Sequence, residues 1–158
     1  MMNNSTSLLS DWQAPIASNL EEHPSGQCFL VLMPEYRPDL VQSLASHFNL
    51  EFYDYRRDKM APLGAAAGTL SLDELTATLR KKTQEKGVVA FNVEALMATK
   101  SEEQRVDWLS SILEISWPNT LLIPLVIFHQ DAPCDHHRIS NLLSTTLPEQ
   151  NLINRLAM

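Results

Sequence analysis

Glycine is scarce. The 158-residue chain has four, and none lies between residues 33 and 39, the loop that follows a first apolar run. A loop that cradles phosphate with backbone N–H groups reads G-x-x-x-x-G-K-[ST]. Here it reads Met33-Pro34-Glu35-Tyr36-Arg37-Pro38, with no Gly, Lys, Ser or Thr. Pro34 and Pro38 remove two N–H donors. Glu35 and Asp39 repel phosphate, and Arg37 alone does not offset them. The loop is therefore expected to bind no ATP, and without glycine it is no dinucleotide fingerprint either.

Cysteine is nearly as rare. Cys28 and Cys134 make no disulfide framework and fit a reducing compartment. Cys28 opens an apolar run and reads as a small core residue. Basic residues do not cluster beyond Arg80-Lys81-Lys82, and the net charge is -7. Direct nucleic-acid binding needs a basic footprint and is not expected. The longest apolar run, residues 121–128, is interrupted by Pro124 and is too short to span a bilayer. No signal peptide is legible at the N-terminus. A cytoplasmic, soluble protein that uses no cofactor is the expectation.

What is present is a hydrophobic content of 44%, enough for one domain with its own core. Residues 1–26 read as an N-terminal arm, partly disordered or a short helix through Leu8, Leu9, Trp12 and Ile16. Residues 27–147 read as one α/β domain and 148–158 as a tail, with a short tail helix through Leu152, Ile153 and Leu156.

Within the domain, buried strands are expected at 27–33, 50–54, 88–93 and 121–128. Leu40, Val41, Leu44, Ala45 and Phe48 line one helical face after Pro38, which suits a first helical position. Ser71-Leu72-Asp73-Glu74 and Ser101-Glu102-Glu103-Gln104 are capping boxes that start two more helices. Gly87 is read as the stop of the first of these. A last amphipathic helix is expected through Ile139, Leu142, Leu143 and Leu147. The connection 55–70 is long enough to be functional, or to hold a short helix at 59–67. Pro124 argues for an edge strand or a bulge. Strands alternating with helices require right-handed crossovers. The fold class is thus α/β, a three-layer sandwich on a mainly parallel sheet of four strands or slightly more.

Ligands of such sheets bind beyond the C-terminal strand ends. Those ends carry Glu35, Asp54, Glu94 and Asp131, four carboxylates able to hold a divalent metal if they converge. The bland alternative is that polar residues simply begin where strands end. Residues 129–137 hold the densest set of metal-ligand types, with His129, Asp131, Cys134, Asp135, His136 and His137. No second Cys/His pair stands at zinc-finger spacing, so a solvated loop is the simpler reading. No G-x-S-x-G elbow is present. No catalytic or nucleotide-binding residue is assigned.

The order of elements over residues 27–128 resembles the P-loop and RecA-like ATPase core. Val88-Val89-Ala90-Phe91-Asn92-Val93-Glu94-Ala95-Leu96 is similar to a strand ending in Asp-Asn-Ile-Glu-x-Leu in the small P-loop-type accessory proteins of bacteriophage-exclusion (BREX) defence operons. Asn92, Val93, Glu94 and Leu96 match, and Phe91 stands where that family's metal-binding Asp would be. The stretch 88–109 also resembles the cell-division inhibitor SulA. Both resemblances imply an NTPase-like scaffold, without ATPase activity here, that binds protein.

Three functions follow as expectations. The first is a non-catalytic interaction subunit of a bacterial multi-protein system, such as phage defence or a SulA-like inhibitor, with Trp12, Tyr36, Tyr55 and Trp117 as exposed aromatic anchors; for any single one, partial burial in its own core is the simpler reading. The second is a metal-dependent hydrolase or nuclease using the four carboxylates. The third is a homo-oligomer joined through the Pro124 strand.

Overall fold

A computed structural model describes residues 11–133 and 135–149. Five parallel strands form one sheet in the order β2-β3-β4-β1-β5: β1 (Cys28–Leu32), β2 (Glu51–Asp54), β3 (Val88–Phe91), β4 (Leu121–Leu125) and β5 (Ile139–Asn141). Helices cover both faces, so the α/β sandwich expected from the sequence is observed. No helix among the described residues is long and apolar enough to cross a membrane.

Strand geometry sorts the apolar residues, because successive side chains point to opposite faces. Leu30, Leu32, Val88, Ala90, Leu121, Ile123 and Leu125 meet α3 (Leu72–Lys82) and α5 (Glu102–Glu114) on one face. Val31, Met33, Val89, Phe91 and Leu122 meet α1 (Ala14–Glu22) and α2 (Pro38–His47) on the other. Cys28 lies fully buried in the first core, and burial pushes its thiol far above the ordinary range. Each fully buried aliphatic side chain contributes about 1.5–3 kcal/mol, so two continuous layers dominate the stability. Trp12 and Ile16 are buried, which docks the N-terminal helix on its own domain.

Both capping boxes form. Ser71 Oγ accepts the Glu74 amide at 3.0 Å and Glu74 Oε1 accepts the Ser71 amide at 3.0 Å. Ser101 and Gln104 repeat the exchange at 3.2 and 2.9 Å. The connection after β2 is made of helical turns, π-type over Arg56–Met60 and 3-10 over Ala61–Thr69, interrupted by a non-helical kink at Gly64 where φ is 56°.

Four expectations are corrected. Pro124 is not on an edge: β4 lies between β3 and β1, and Pro124 pairs with Val31. Backbone groups of alternate residues in a strand face alternate neighbours. The Leu125 carbonyl accepts from Met33 beyond β1, so the adjacent Pro124 faces β3. The β3–β4 ladder has already ended at Val89 and Leu122, and no donor is needed there. Self-assembly through a Pro124 edge strand is thereby removed.

The final amphipathic helix is instead the edge strand β5 followed by turns. Ile139 and Leu143 pack on one core and Leu142 on the other, which a single helical stripe cannot do. Gly87 does not stop α3, which ends at Lys82 with Thr83 as its cap. Its role is close approach: a Cβ there would stand 2.5 Å from Leu50 and 3.2 Å from the Thr120 carbonyl. The third strand ends at Phe91 rather than residue 93, and a short helix α4 (Glu94–Met97) begins directly beyond it. Leu8 and Leu9, Cys134, and the tail helix through Leu152, Ile153 and Leu156 lie outside the described residues.

Candidate functional site

The C-terminal edge of the sheet gathers the loops after β1, β2, β3 and β4. The ladder between β3 and β4 ends at Val89 and Leu122, so these two strands are free to part beyond it. Glu94, in the first turn of α4, bridges them. Its Oε1 accepts the Val126 amide at 2.9 Å, and its Oε2 accepts those of Ile127 and Phe128 at 2.7 Å each. Three successive N–H groups aimed at one point make an anion-binding concavity. The protein's own carboxylate, 9% exposed, occupies it.

The loop after β1 holds a second self-contained charge cluster. Arg37 donates through Nε and Nη2 to both oxygens of Asp39, at 3.0 and 2.9 Å, and through Nη1 to Glu35 at 3.0 Å. The two-point bond from Arg37 holds the Asp39 carboxyl below the usual carboxylate range, and the Arg37 guanidinium is held more firmly charged in return. The single cation of this loop is thus spent on its neighbours.

Between these two clusters runs a polar bridge. Asn92 adopts φ 65°, a left-handed conformation that Asn tolerates better than most residues. Its Nδ2 donates to Asp54 Oδ1 at 3.1 Å, and its Oδ1 accepts the Tyr36 hydroxyl at 3.2 Å. Asp54 Oδ1 also caps the Arg57 amide at 3.1 Å. The Tyr36 ring stacks on Phe91 at 5.4 Å, and Phe91 contacts Phe52 at 5.3 Å. One residue from each of β1, β2 and β3's ends is thereby locked to the next.

The four carboxylates share this edge but do not share a ligand. Glu35 pairs with Arg37, Asp54 with Asn92, and Glu94 with the amides just beyond β4. Asp131 pairs with Arg105 at 2.6 Å, whose guanidinium lies 4.2 Å over the Phe128 ring. Among the described residues no group of three or more His, Cys, Asp or Glu is arranged to hold a metal ion. Each of the four expected carboxylates thus has its own partner.

Of the four expected aromatic anchors only Tyr36 is exposed, at 54%. Trp12 is buried under α1 and α2. Trp117 is buried with Nε1 donating to the Ile112 carbonyl at 3.0 Å and Arg80 over its ring. Tyr55 is fully buried in the other core, where burial pushes its phenol up to about 12. As exposed anchors these three are corrected, and the simpler reading of burial in the core holds for each: a large ring next to a sheet contributes most when it is covered.

Sequence reading missed the apolar residues that are exposed here. Leu63, after β2, and Ile127, after β4, are 43% and 66% exposed, and in strand order Ile127 comes next to Tyr36, which follows β1. Their signal was present as large aliphatics in polar connections, but a linear reading assigns such residues to the core. No family model, characterised protein or solved structure is similar to this chain at a level that would extend the reading beyond its own geometry.

Proposed function

We propose that this chain is a non-catalytic protein-binding module that engages its partner through the C-terminal rim of the sheet. The observation that carries the reading is the internal neutralisation of the rim. The amides of residues 126–128 beyond β4 are filled by Glu94 and the Arg37 guanidinium by Glu35 and Asp39, while Tyr36, Leu63 and Ile127 remain exposed. A rim that grips an anionic ligand keeps its amides and cations free. A rim that grips a protein presents aromatic and aliphatic anchors on a rigid frame.

A degenerate NTPase-like subunit of a bacterial assembly, in phage defence or as an inhibitor like SulA, is the class of role that fits. A cytoplasmic location belongs to the same proposal, consistent with the buried free thiol of Cys28.

The test is affinity capture from cells with the wild-type chain and with Tyr36→Ala/Ile127→Asp. A protein retained by the wild type and lost with the rim variant supports the reading. Capture that is indifferent to both substitutions, or micromolar binding of Mg-ATP to the purified chain in calorimetry, sinks it.

A further inference from the structure

Three imidazoles from two distant segments stack beside a buried guanidinium. His136 and His137 lie nearly parallel with centroids 4.6 Å apart. His23, which follows the end of α1, lies 4.9 Å from His137. Arg138 is buried, and its guanidinium donates to the backbone carbonyls of Cys28 and Leu113. Among the described residues it makes no ion pair with a carboxylate.

One hydrogen bond fixes the state of His136. Its Nδ1 accepts the Arg138 amide at 3.1 Å. An amide can only donate, so this ring nitrogen must offer a lone pair. His136 therefore carries its proton on Nε2 and is neutral. His137 Nε2 stands 3.4 Å from Arg138 Nη1.

The residue between these contacts and the sheet is Arg138 itself. Its carbonyl accepts the Leu30 amide at 3.1 Å, directly before β5. β5 has three residues, pairs with β1 alone, and is otherwise tied by Asn19 to Ser140 at 3.3 Å and by Leu142 to the Leu32 carbonyl at 2.8 Å. A short edge strand is the part of a sheet whose opening costs least.

We propose that His136 is an acid-released latch on this edge strand: its protonation frees residues 135–141 from β1 while the rest of the sheet stays closed. Protonation removes the acceptor of the Arg138 amide and places a new cation against Arg138. The groups facing His136 are Arg138, His137 and His23, which oppose its protonation, and Glu114 on α5, which favours it. His137 faces His136, His23 and Arg138.

The sign follows from His136. Burial first, then Arg138 and His137, hold its imidazole below the ordinary value in the closed form. The released segment, with imidazoles near 6.5, binds more protons. The latch is therefore shut above about pH 6.5 and weakens as the pH falls.

Hydrogen exchange at pH 7 and pH 5, corrected for the intrinsic rate, tests this. The expected result is an increase of about tenfold or more in opening for peptides covering β5 and the Leu30 amide, with β2 and β3 unchanged. His136→Asn keeps an acceptor oxygen near the Nδ1 position but cannot be protonated there, and its β5 exchange should be flat. His136→Gln should be equally flat and stands in if the asparagine variant does not fold. An equal acid response in wild type and variants overturns the latch. So does exchange in β3 that rises in step with β5, or imidazole titration of His136 by NMR with no change in the β5 amides.

Discussion

The Glu94 carboxylate accepts the amide of Phe128, 34 residues away, at 2.7 Å, and this contact joins the end of β3 to the end of β4 where the ladder between them has stopped. A carboxylate on three amides is a set of charge-assisted bonds, and its removal leaves three donors unpaired. Glu94→Ala is expected to cost about 2–4 kcal/mol in urea unfolding, and Glu94→Gln less, because one acceptor oxygen survives. A loss below about 0.5 kcal/mol for the alanine variant would show that water replaces the carboxylate without penalty.

Asn92 combines a backbone conformation with a side-chain bridge, and the two are separable. Asn92→Ala loses the bonds to Asp54 and Tyr36 and strains φ 65°. Asn92→Gly loses the bonds alone. We expect a loss of about 1–3 kcal/mol for alanine and a smaller one for glycine, read from thermal unfolding. Equal losses would assign the whole effect to the side chain.

Pro124 stands in a central strand, where proline ordinarily removes a ladder bond. Its missing donor faces the part of β3 that no longer pairs. Pro124→Ala should therefore restore no bond, and its stability should stay within about 1 kcal/mol of the wild type. A clear gain, with new protection of the residue 124 amide in hydrogen exchange, would mean that the ladder can extend.

Tyr36 and Trp117 separate binding from folding. Tyr36→Ala should change stability by about 1 kcal/mol or less, since half of the ring is already in water, yet it should weaken partner capture. Trp117→Ala empties a buried site and should cost about 3–5 kcal/mol, with any loss of binding tracking the unfolded fraction. The reverse ranking in a denaturation series would move the anchor role from Tyr36 to Trp117.

Much of the frame was legible because its signals are local. The capping boxes at Ser71 and Ser101 are exchanges within four residues, and both formed. The apolar runs at 28–32, 88–91 and 121–125 are buried on both faces and could only be strands between helical layers. The rim was legible only as a place. That Glu35, Asp54, Glu94 and Asp131 would collect at one sheet edge followed from their position after strands. Which partner each would take did not, because Arg105, Asn92 and the amides just beyond β4 are 26, 38 and 32–34 residues away from the carboxylates they engage.

The amino-acid order by itself determined the α/β alternation, the start of two helices and the proline-and-acid loop after β1, since each depends on neighbours within a turn or a strand. Tertiary structure alone decided that β4 is central, that residues 139–141 form an edge strand, and that three aromatic rings turn inward. Strand order is set by which long crossovers can close two apolar layers at once, and that sum over distant residues is written nowhere in a linear stretch.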